Sequence, residues 1–132
     1  MGVSYAFTEH IAPVEFPDVV RLTTEEHSAL VARYDPDVEL DGRAAFAILG
    51  DGWIVAACVS SREDATAGEA WVRTEEAYRG QGYAQRVTAT WAAALQRAGK
   101  IAFYSHRLDN AASAGVARSL GLQPFVRDAG YL

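Results

Sequence analysis

The chain has 132 residues, of which 50% are hydrophobic and 22% are charged, and this balance excludes an intrinsically disordered polypeptide. A chain of this length has room for one hydrophobic core, so we expect a single domain over residues 1–132. The formal net charge of -5, with Lys100 as the single lysine, argues against a nucleic-acid partner, because binding one requires clustered cations. An acidic surface can steer a cationic amine, but it also simply keeps many cytoplasmic proteins soluble.

Cysteine usage and hydropathy predict a cytoplasmic protein. The single cysteine, Cys58, lies in an apolar run typical of a buried strand and has no second cysteine with which to form a disulfide. The first residues lack the basic and apolar regions of a secretory signal, and no segment approaches the roughly 20 apolar residues of a membrane span. We therefore expect no membrane partner.

The first third of the chain predicts one short strand and one helix. Residues 1–17 carry two prolines and weak alternation, so we expect an edge strand or a loose arm there. Residues 19–22 have a better strand pattern. Thr23 or Thr24 then supplies the N-cap of a helix that extends to about Tyr34, where a proline soon follows.

The middle of the chain predicts a meander of three antiparallel strands. Two apolar runs, residues 44–49 and 53–60, flank Gly50-Asp51-Gly52. An Asp-Gly pair between such runs is a strong hairpin signal, because its turn needs positive φ angles. Residues 69–74 form the third strand, which leads directly into a glycine-rich segment.

The last third predicts a β-α-β unit followed by another helix and strand. Apolar residues recur at three- and four-residue spacing over residues 80–98, which indicates an amphipathic helix. A strand at 101–104 follows this long crossover and should lie parallel to the third strand of the meander. A helix capped by Asp109 or Asn110 and a strand around 123–126 complete the pattern. Together these elements predict an α/β fold, a central mixed sheet with flanking helices, in the order β-α-β-β-β-α-β-α-β.

The glycine-rich segment Arg79-Gly80-Gln81-Gly82-Tyr83-Ala84 lies where a strand ends and a long helix begins. The first helical turn has N–H groups without intrahelical acceptors and carries partial positive charge, so it suits a phosphate. A glycine pair alone also fits a tight turn or close strand-helix packing. Because the chain lacks both a third glycine at dinucleotide-binding spacing and a Gly-Lys-Ser/Thr sequence, neither NAD nor ATP is favoured.

This segment resembles the Gln/Arg-x-x-Gly-x-Gly/Ala signature of the GNAT superfamily of acyl-CoA N-acyltransferases. The strand before it, the helix after it and the later helix led by Asn110 are also similar to that family. The resemblance covers residues 44–126, which we expect to be the acyl-CoA-binding core, behind a short N-terminal region, residues 1–43. Within the superfamily the chain is most similar to the FR47-like branch, on residues 74–84, 112–113 and 116–121.

The resemblance implies acetyl-CoA, or another acyl-CoA, as cosubstrate. In the family, two parallel strands splay to admit the pantetheine arm, which pairs with strand backbone, and amides of the signature hold the pyrophosphate. The residues implied are Val72, Thr74, Arg79, Gly80, Gln81, Gly82, Tyr83, Ala84, Asn110 and Ser113. Tyr83 is expected to contribute its amide rather than its ring. Ordinary strand pairing for Val72 and Thr74, a solvated charge for Arg79 and helix-start hydrogen bonds for Asn110 and Ser113 are the alternatives.

Acylation of an amine needs a base for the amine proton and an acid for the leaving thiolate. Glu69 begins the strand that leads into the signature and is the expected base, with a surface charge as the alternative. The usual family tyrosine corresponds to Ala117, so we expect Tyr104 and Ser105 to replace it, and His106 is more simply an exposed or capping residue. The histidines have no partners at metal-ligand spacing, so we expect no metal.

The predicted function is transfer of an acetyl or other short acyl group from acyl-CoA to a primary amine of a small molecule. Three alternatives remain: a catalytically degenerate CoA-binding or regulatory domain, a protein N-acetyltransferase, and a homodimer whose partner completes the cleft. Ala117 and the short N-terminal region motivate the first alternative, because that region normally shapes the acceptor side.

Overall fold

The computed structural model describes residues 2–6, 16–107 and 123–127, with side chains described over residues 16–104. Its strands are β1 (Gly2–Ala6), β2 (Val19–Arg21), β3 (Ala45–Gly50), β4 (Trp53–Glu63), β5 (Ala67–Thr74), β6 (Ile101–Arg107) and β7 (Gln123–Arg127). Its helices are α1 (Thr24–Tyr34) and α2 (Tyr83–Arg97), and a short 3-10 turn spans Glu76–Tyr78.

The seven described strands form one mixed sheet in the order β2-β3-β4-β5-β6-β1-β7. Each neighbouring pair is antiparallel except β5 and β6, which run parallel. Helix α2 is the crossover between these two strands, as a parallel connection requires. The predicted mixed sheet and the predicted parallel β-α-β unit are confirmed.

The β3–β4 hairpin has the two-residue turn that its sequence predicts. Gly50 pairs with Trp53, so that Asp51 and Gly52 form the turn, with φ angles of 52° and 82°. Positive φ at both positions matches the twist of the two strands. The turn therefore sets the pairing of Gly50 with Trp53, and the register shifts by one residue between Leu49 and Ile48.

Two apolar clusters lie on opposite faces of the sheet, because successive strand residues point to opposite sides. The α2 face buries Phe46, Ile48, Cys58, Ala70, Tyr104 and the α2 residues Val87, Trp91 and Leu95, among others. The α1 face buries Leu22, Val31, Ala45, Ala47, Ile54, Ala57 and Val59, with Tyr34 and Trp71 packed against them. Each helix thus covers its own side of one sheet.

The N-terminal strand occupies a different position in the sheet from the one predicted from the sequence. Residues 1–17 predict an edge strand or a loose arm, whereas β1 lies inside the sheet, antiparallel to both β6 and β7. Its partners are about a hundred positions away along the chain, and local alternation carries no signal for such pairing. The prediction was wrong for this reason.

Among the described residues the element order is β-β-α-β-β-β-α-β-β, ignoring the 3-10 turn. The final strand is confirmed as β7, and the predicted helix that includes Asn110 and Ser113 lies outside the described residues. Neither α1 nor α2, the helices that the structure describes, has the length and apolarity needed to cross a membrane.

Candidate functional site

Strands β5 and β6 separate at their carboxyl ends. Their pairing extends from Ala67 opposite Ile101 to Ala70 opposite Tyr104, after which β5 continues to Thr74 and β6 to Arg107 without a further described pair. We call the region between residues 71–74 and 105–107, where the described strands are no longer paired, the β5–β6 opening. Ligands of open α/β sheets bind at the carboxyl ends of parallel strands.

The edge of β5 that faces this opening follows from strand alternation. The Glu75 N–H donates to the Val55 carbonyl at 2.8 Å, on the β4 side. Backbone groups of alternate residues point to opposite edges, so those of Val72 and Thr74 face the opening. The Thr74 hydroxyl is also buried without a hydrogen-bond partner among the described residues. An unpaired strand edge and an unused polar atom therefore lie together at this site.

The glycine-rich segment follows β5 and begins α2. Gly80 and Gly82 have φ angles of 82° and 78°, in the left-handed region. Among the described residues, no atom lies within 4 Å of a Cβ added at either position, so the turn is open on that side. Helix α2 begins at Tyr83, and its first N–H groups have no intrahelical acceptor. This geometry fits the pyrophosphate of an acyl-CoA.

Arg79 stabilises the turn with both its backbone and its side chain. Its N–H donates to the Glu76 carbonyl at 3.2 Å, and its Nε donates to the Thr74 carbonyl at 3.2 Å. The Tyr83 ring stacks on the Tyr78 ring with centroids 6.1 Å apart. The ring is thus packed against the turn, and a ligand contact through the Tyr83 amide remains a prediction.

The catalytic candidates do not share one surface. Glu69 is half-buried and lies two residues before Trp71 in β5, so both side chains point to the α1 face. Tyr104 is 1% exposed and belongs to the cluster on the α2 face. Ser105 follows it in β6, opposite Ser4 of β1. The structure therefore separates Glu69 from Tyr104 across the sheet.

A cavity of about 400 Å³ lies on the α1 face, and no sequence pattern predicts it. Its lining residues are Asp35, Asp37, Val38, Glu39, Arg43, Ser60, Ser61 and Trp71. The Ser61 hydroxyl donates to the Glu69 carbonyl at 3.2 Å, so the backbone of Glu69 lies beside one of the lining residues. Three carboxylates against one guanidinium give it an acidic lining. The residues before β3 that form its wall have no periodicity from which it could have been predicted.

Tyr34 was also not anticipated. Its hydroxyl donates to the Arg73 carbonyl at 2.7 Å, and its ring meets the Trp71 ring edge-on with centroids 6.3 Å apart. Burial raises the pKa of Tyr34, so the hydroxyl remains a hydrogen-bond donor at neutral pH. The hydrogen bond joins residues 39 positions apart, so no local sequence pattern predicts it.

A polar network closes the other end of the β5–β6 pair. Glu63 Oε2 lies 2.8 Å from Lys100 Nζ, while its Oε1 accepts from the Ala44 N–H at 2.9 Å and the Ser60 hydroxyl at 2.7 Å. The Trp91 indole N–H donates to the Ser60 hydroxyl at 2.8 Å. These bonds join β4, α2 and the start of β6, so the strands are fixed where they pair.

Within the part of the chain that the structure describes, no three His, Cys, Asp or Glu side chains cluster as a metal site would require. Of the expected site residues, Val72, Thr74 and the segment 79–84 come together around the β5–β6 opening. Asn110 and Ser113 lie outside the described residues.

Solved structures share this architecture. A GNAT-family acetyltransferase from Novosphingobium aromaticivorans superposes with a TM-score of 0.77 at 19% identity, covering 94% of this chain and 59% of that one. A GNAT-family acetyltransferase from Colwellia psychrerythraea gives 0.69 at 20% identity, over 93% of this chain and 52% of that one. This chain thus spans little more than half the length of these two proteins.

An aminoglycoside N-acetyltransferase, solved in complex with CoA, gives a TM-score of 0.62 at 14% identity, covering 80% of this chain and 91% of that one. These likenesses confirm the α/β GNAT-like fold. No curated protein sequence matches the chain significantly. The sequence model of the GNAT acetyltransferase family, however, matches residues 42–127, which is well over half of the chain. The chain therefore belongs to the GNAT acetyltransferase family.

Proposed function

We propose that this chain is a single N-acyltransferase domain, residues 1–132, that transfers an acetyl or other short acyl group from acyl-CoA to a primary amine of a small molecule in the cytoplasm. One observation carries the proposal: the unpaired edge of β5 leads directly into an open glycine turn at the start of α2. Family membership supports the acyl transfer. Residues 74–84 favour the FR47-like branch.

Acyl-CoA would supply the activated thioester, and the chain would supply the groups that hold it. The Val72 N–H and carbonyl and the Thr74 N–H are available to the amide-bearing pantetheine arm, as they would be to a neighbouring strand, while the Thr74 carbonyl accepts from Arg79. The N–H groups of residues 80–84 offer donors to the pyrophosphate, with the positive end of α2 behind them. Asn110 and Ser113 remain proposed contacts by resemblance.

Glu69 is the proposed base, which takes a proton from the acceptor amine directly or through water. Its position on the α1 face, the face that also carries the acidic cavity, supports an approach of the amine from that side. Ser105 and Tyr104 are the proposed proton donors to the leaving sulfur. Burial of Tyr104 in the α2-face cluster favours Ser105, the next residue of the same strand.

The acidic cavity supports a cationic acceptor. Asp35, Asp37 and Glu39 give it a negative potential that attracts an ammonium group, and Trp71 adds an aromatic wall. A cavity of this size suits a small molecule. One structural neighbour is named an aminoglycoside N-acetyltransferase, so this fold does serve small-molecule amines.

A catalytically degenerate CoA-binding domain is the second candidate, because Ala117 stands at the position of the usual family tyrosine. Acyl transfer to an amine, measured as thiol release above the rate of hydrolysis, would reject this candidate. Binding of acyl-CoA without transfer to any amine would favour it.

The test of the cofactor site is calorimetric titration with acetyl-CoA of the wild type, Gly82→Glu and Gly99→Glu. Both glycines have left-handed φ angles and open space at Cβ, so the two variants carry the same backbone strain and the same charge. Only Gly82 lies at the start of α2, where a carboxylate opposes the pyrophosphate. We expect Gly82→Glu to weaken binding at least about tenfold and Gly99→Glu to bind as the wild type does.

Two results would contradict the proposal. An equal affinity of both variants for acetyl-CoA would show that the pyrophosphate does not bind at the glycine turn. A folded wild type that binds neither acetyl-CoA nor longer acyl-CoAs would reject the enzyme assignment.

A further inference from the structure

Tyr34 joins the end of α1 to the outer part of β5. Its hydroxyl donates to the Arg73 carbonyl at 2.7 Å, its ring packs edge-on against Trp71, and the Arg73 guanidinium lies 5.1 Å from its ring centroid. Trp71 and Arg73 are successive residues on the α1 face of β5, so Tyr34 spans both. This part of β5 is the part that borders the β5–β6 opening.

The Arg73 carbonyl and the Thr74 N–H are the two ends of one peptide unit. The unit is planar and stiff, so its C=O and N–H point in opposite directions and turn together. The Arg73 carbonyl points toward β4, where Arg73 pairs with Ala57, and the Thr74 N–H therefore points into the opening. A hydrogen bond accepted by the carbonyl fixes the direction of that N–H and also strengthens it as a donor.

The next peptide unit is held separately. The Thr74 carbonyl accepts from Arg79 Nε at 3.2 Å, and the Glu75 N–H donates to the Val55 carbonyl at 2.8 Å. With its own carbonyl engaged in this way, Thr74 presents its N–H to a ligand in the opening. The orientation of that N–H depends on the preceding peptide unit, which the pairing of Arg73 with Ala57 and the Tyr34 hydroxyl hold together.

We propose that Tyr34 is a positioning residue that orients the Thr74 N–H for the pantetheine arm of acyl-CoA. The inference rests on the proposed function, because it requires acyl-CoA in the β5–β6 opening. It assigns α1 a role in cosubstrate binding, although α1 packs on the face of the sheet opposite to α2 and its glycine turn. The nucleotide part of the cosubstrate binds at the glycine turn, so its affinity should not depend on Tyr34.

The test is Tyr34→Phe, which removes the hydroxyl and keeps the ring against Trp71. Calorimetry is run with acetyl-CoA and with adenosine 3′,5′-bisphosphate, which has the adenosine, the 3′-phosphate and the first of the two 5′-phosphates of CoA and lacks the pantetheine arm. We expect the variant to bind acetyl-CoA about three- to tenfold more weakly, as the loss of one hydrogen bond allows. Its affinity for the bisphosphate should stay within about twofold of the wild type.

Arg33→Met is the matched control. It removes the guanidinium that lies 3.4 Å from the Trp53 ring centroid at the end of α1, and it leaves Tyr34 and the Arg73 carbonyl in place. Acetyl-CoA binding should remain within about twofold of the wild type. In the wild type itself, titration with acetyl-CoA should shift the Thr74 amide resonance more than titration with the bisphosphate does, a readout that needs no variant to fold.

An unchanged acetyl-CoA affinity in Tyr34→Phe, or an equal loss for both ligands, would overturn the inference while leaving the proposed function intact. An equal loss in Arg33→Met would attribute the effect to the end of α1 in general and would also overturn it. Failure of the wild type to bind acetyl-CoA would reject the proposed function itself.

Discussion

Replacing Glu63 by glutamine tests the charge that fixes the closed end of the β5–β6 pair. A glutamine oxygen can still accept from the Ala44 N–H and the Ser60 hydroxyl, but its amide group then faces Lys100 Nζ, which is 2.8 Å from Glu63 Oε2 in the native protein. The substitution therefore removes one charge-assisted hydrogen bond and leaves the neutral ones in place.

The magnitude follows from the exposure of the pair. Glu63 and Lys100 side chains are 12% and 21% exposed, so Lys100 can turn toward water when its partner is lost. A hydrogen bond to a charged group contributes about 1.5–3 kcal/mol, and we expect a loss of about 2 kcal/mol in the free energy of unfolding at neutral pH. A fully buried pair would lose about 3–5 kcal/mol. For a chain of this length, Tm should fall by about 6–8 °C.

The loss of unfolding free energy in Glu63→Gln should become smaller as the pH falls. Burial opposes ionisation of Glu63, but hydrogen bonds from Lys100, Ala44 and Ser60 outweigh it and lower its pKa below the ordinary value of 4.5. A carboxyl whose pKa is lowered by folding stabilises the protein fully above its unfolded pKa and loses that contribution as pH falls through its folded pKa. The difference between wild type and Glu63→Gln should therefore be constant near neutrality and shrink below about pH 4.5.

Urea unfolding at neutral and acidic pH measures this difference, with Glu39→Gln as a control at an exposed carboxylate. The control should lie within about 0.5 kcal/mol of the wild type. A Glu63→Gln loss as small as that of the control, or a difference that grows in acid, would refute the reasoning.

Two further predictions concern Glu69 and Cys58. Glu69→Gln should lower kcat about 10²- to 10⁴-fold while the Kd for acetyl-CoA stays unchanged, as measured by thiol release and calorimetry, and full activity would remove Glu69 as the base. Cys58 is 0% exposed and burial raises the pKa of its thiol, so a thiol reagent should label it only at the rate of unfolding. Rapid labelling of the native protein would contradict its place in the core.

Local sequence determined the elements that carry the cosubstrate site. The Asp51-Gly52 turn, the amphipathic repeat of α2 and the left-handed Gly80 and Gly82 are each specified within a few residues, because backbone φ preferences and helical periodicity are local properties. The parallel arrangement of β5 and β6 was also predictable, since a long crossover helix leaves few other connections.

The tertiary structure alone decided which distant residues meet. It placed β1 inside the sheet, joined Glu63 to Lys100 across 37 positions and set Tyr34 against the Arg73 carbonyl across 39. It also put Glu69 and Tyr104 on opposite faces, which depends on the register of two strands from different parts of the chain. Such contacts are fixed by the packing of the whole sheet, and no single segment carries a pattern for them.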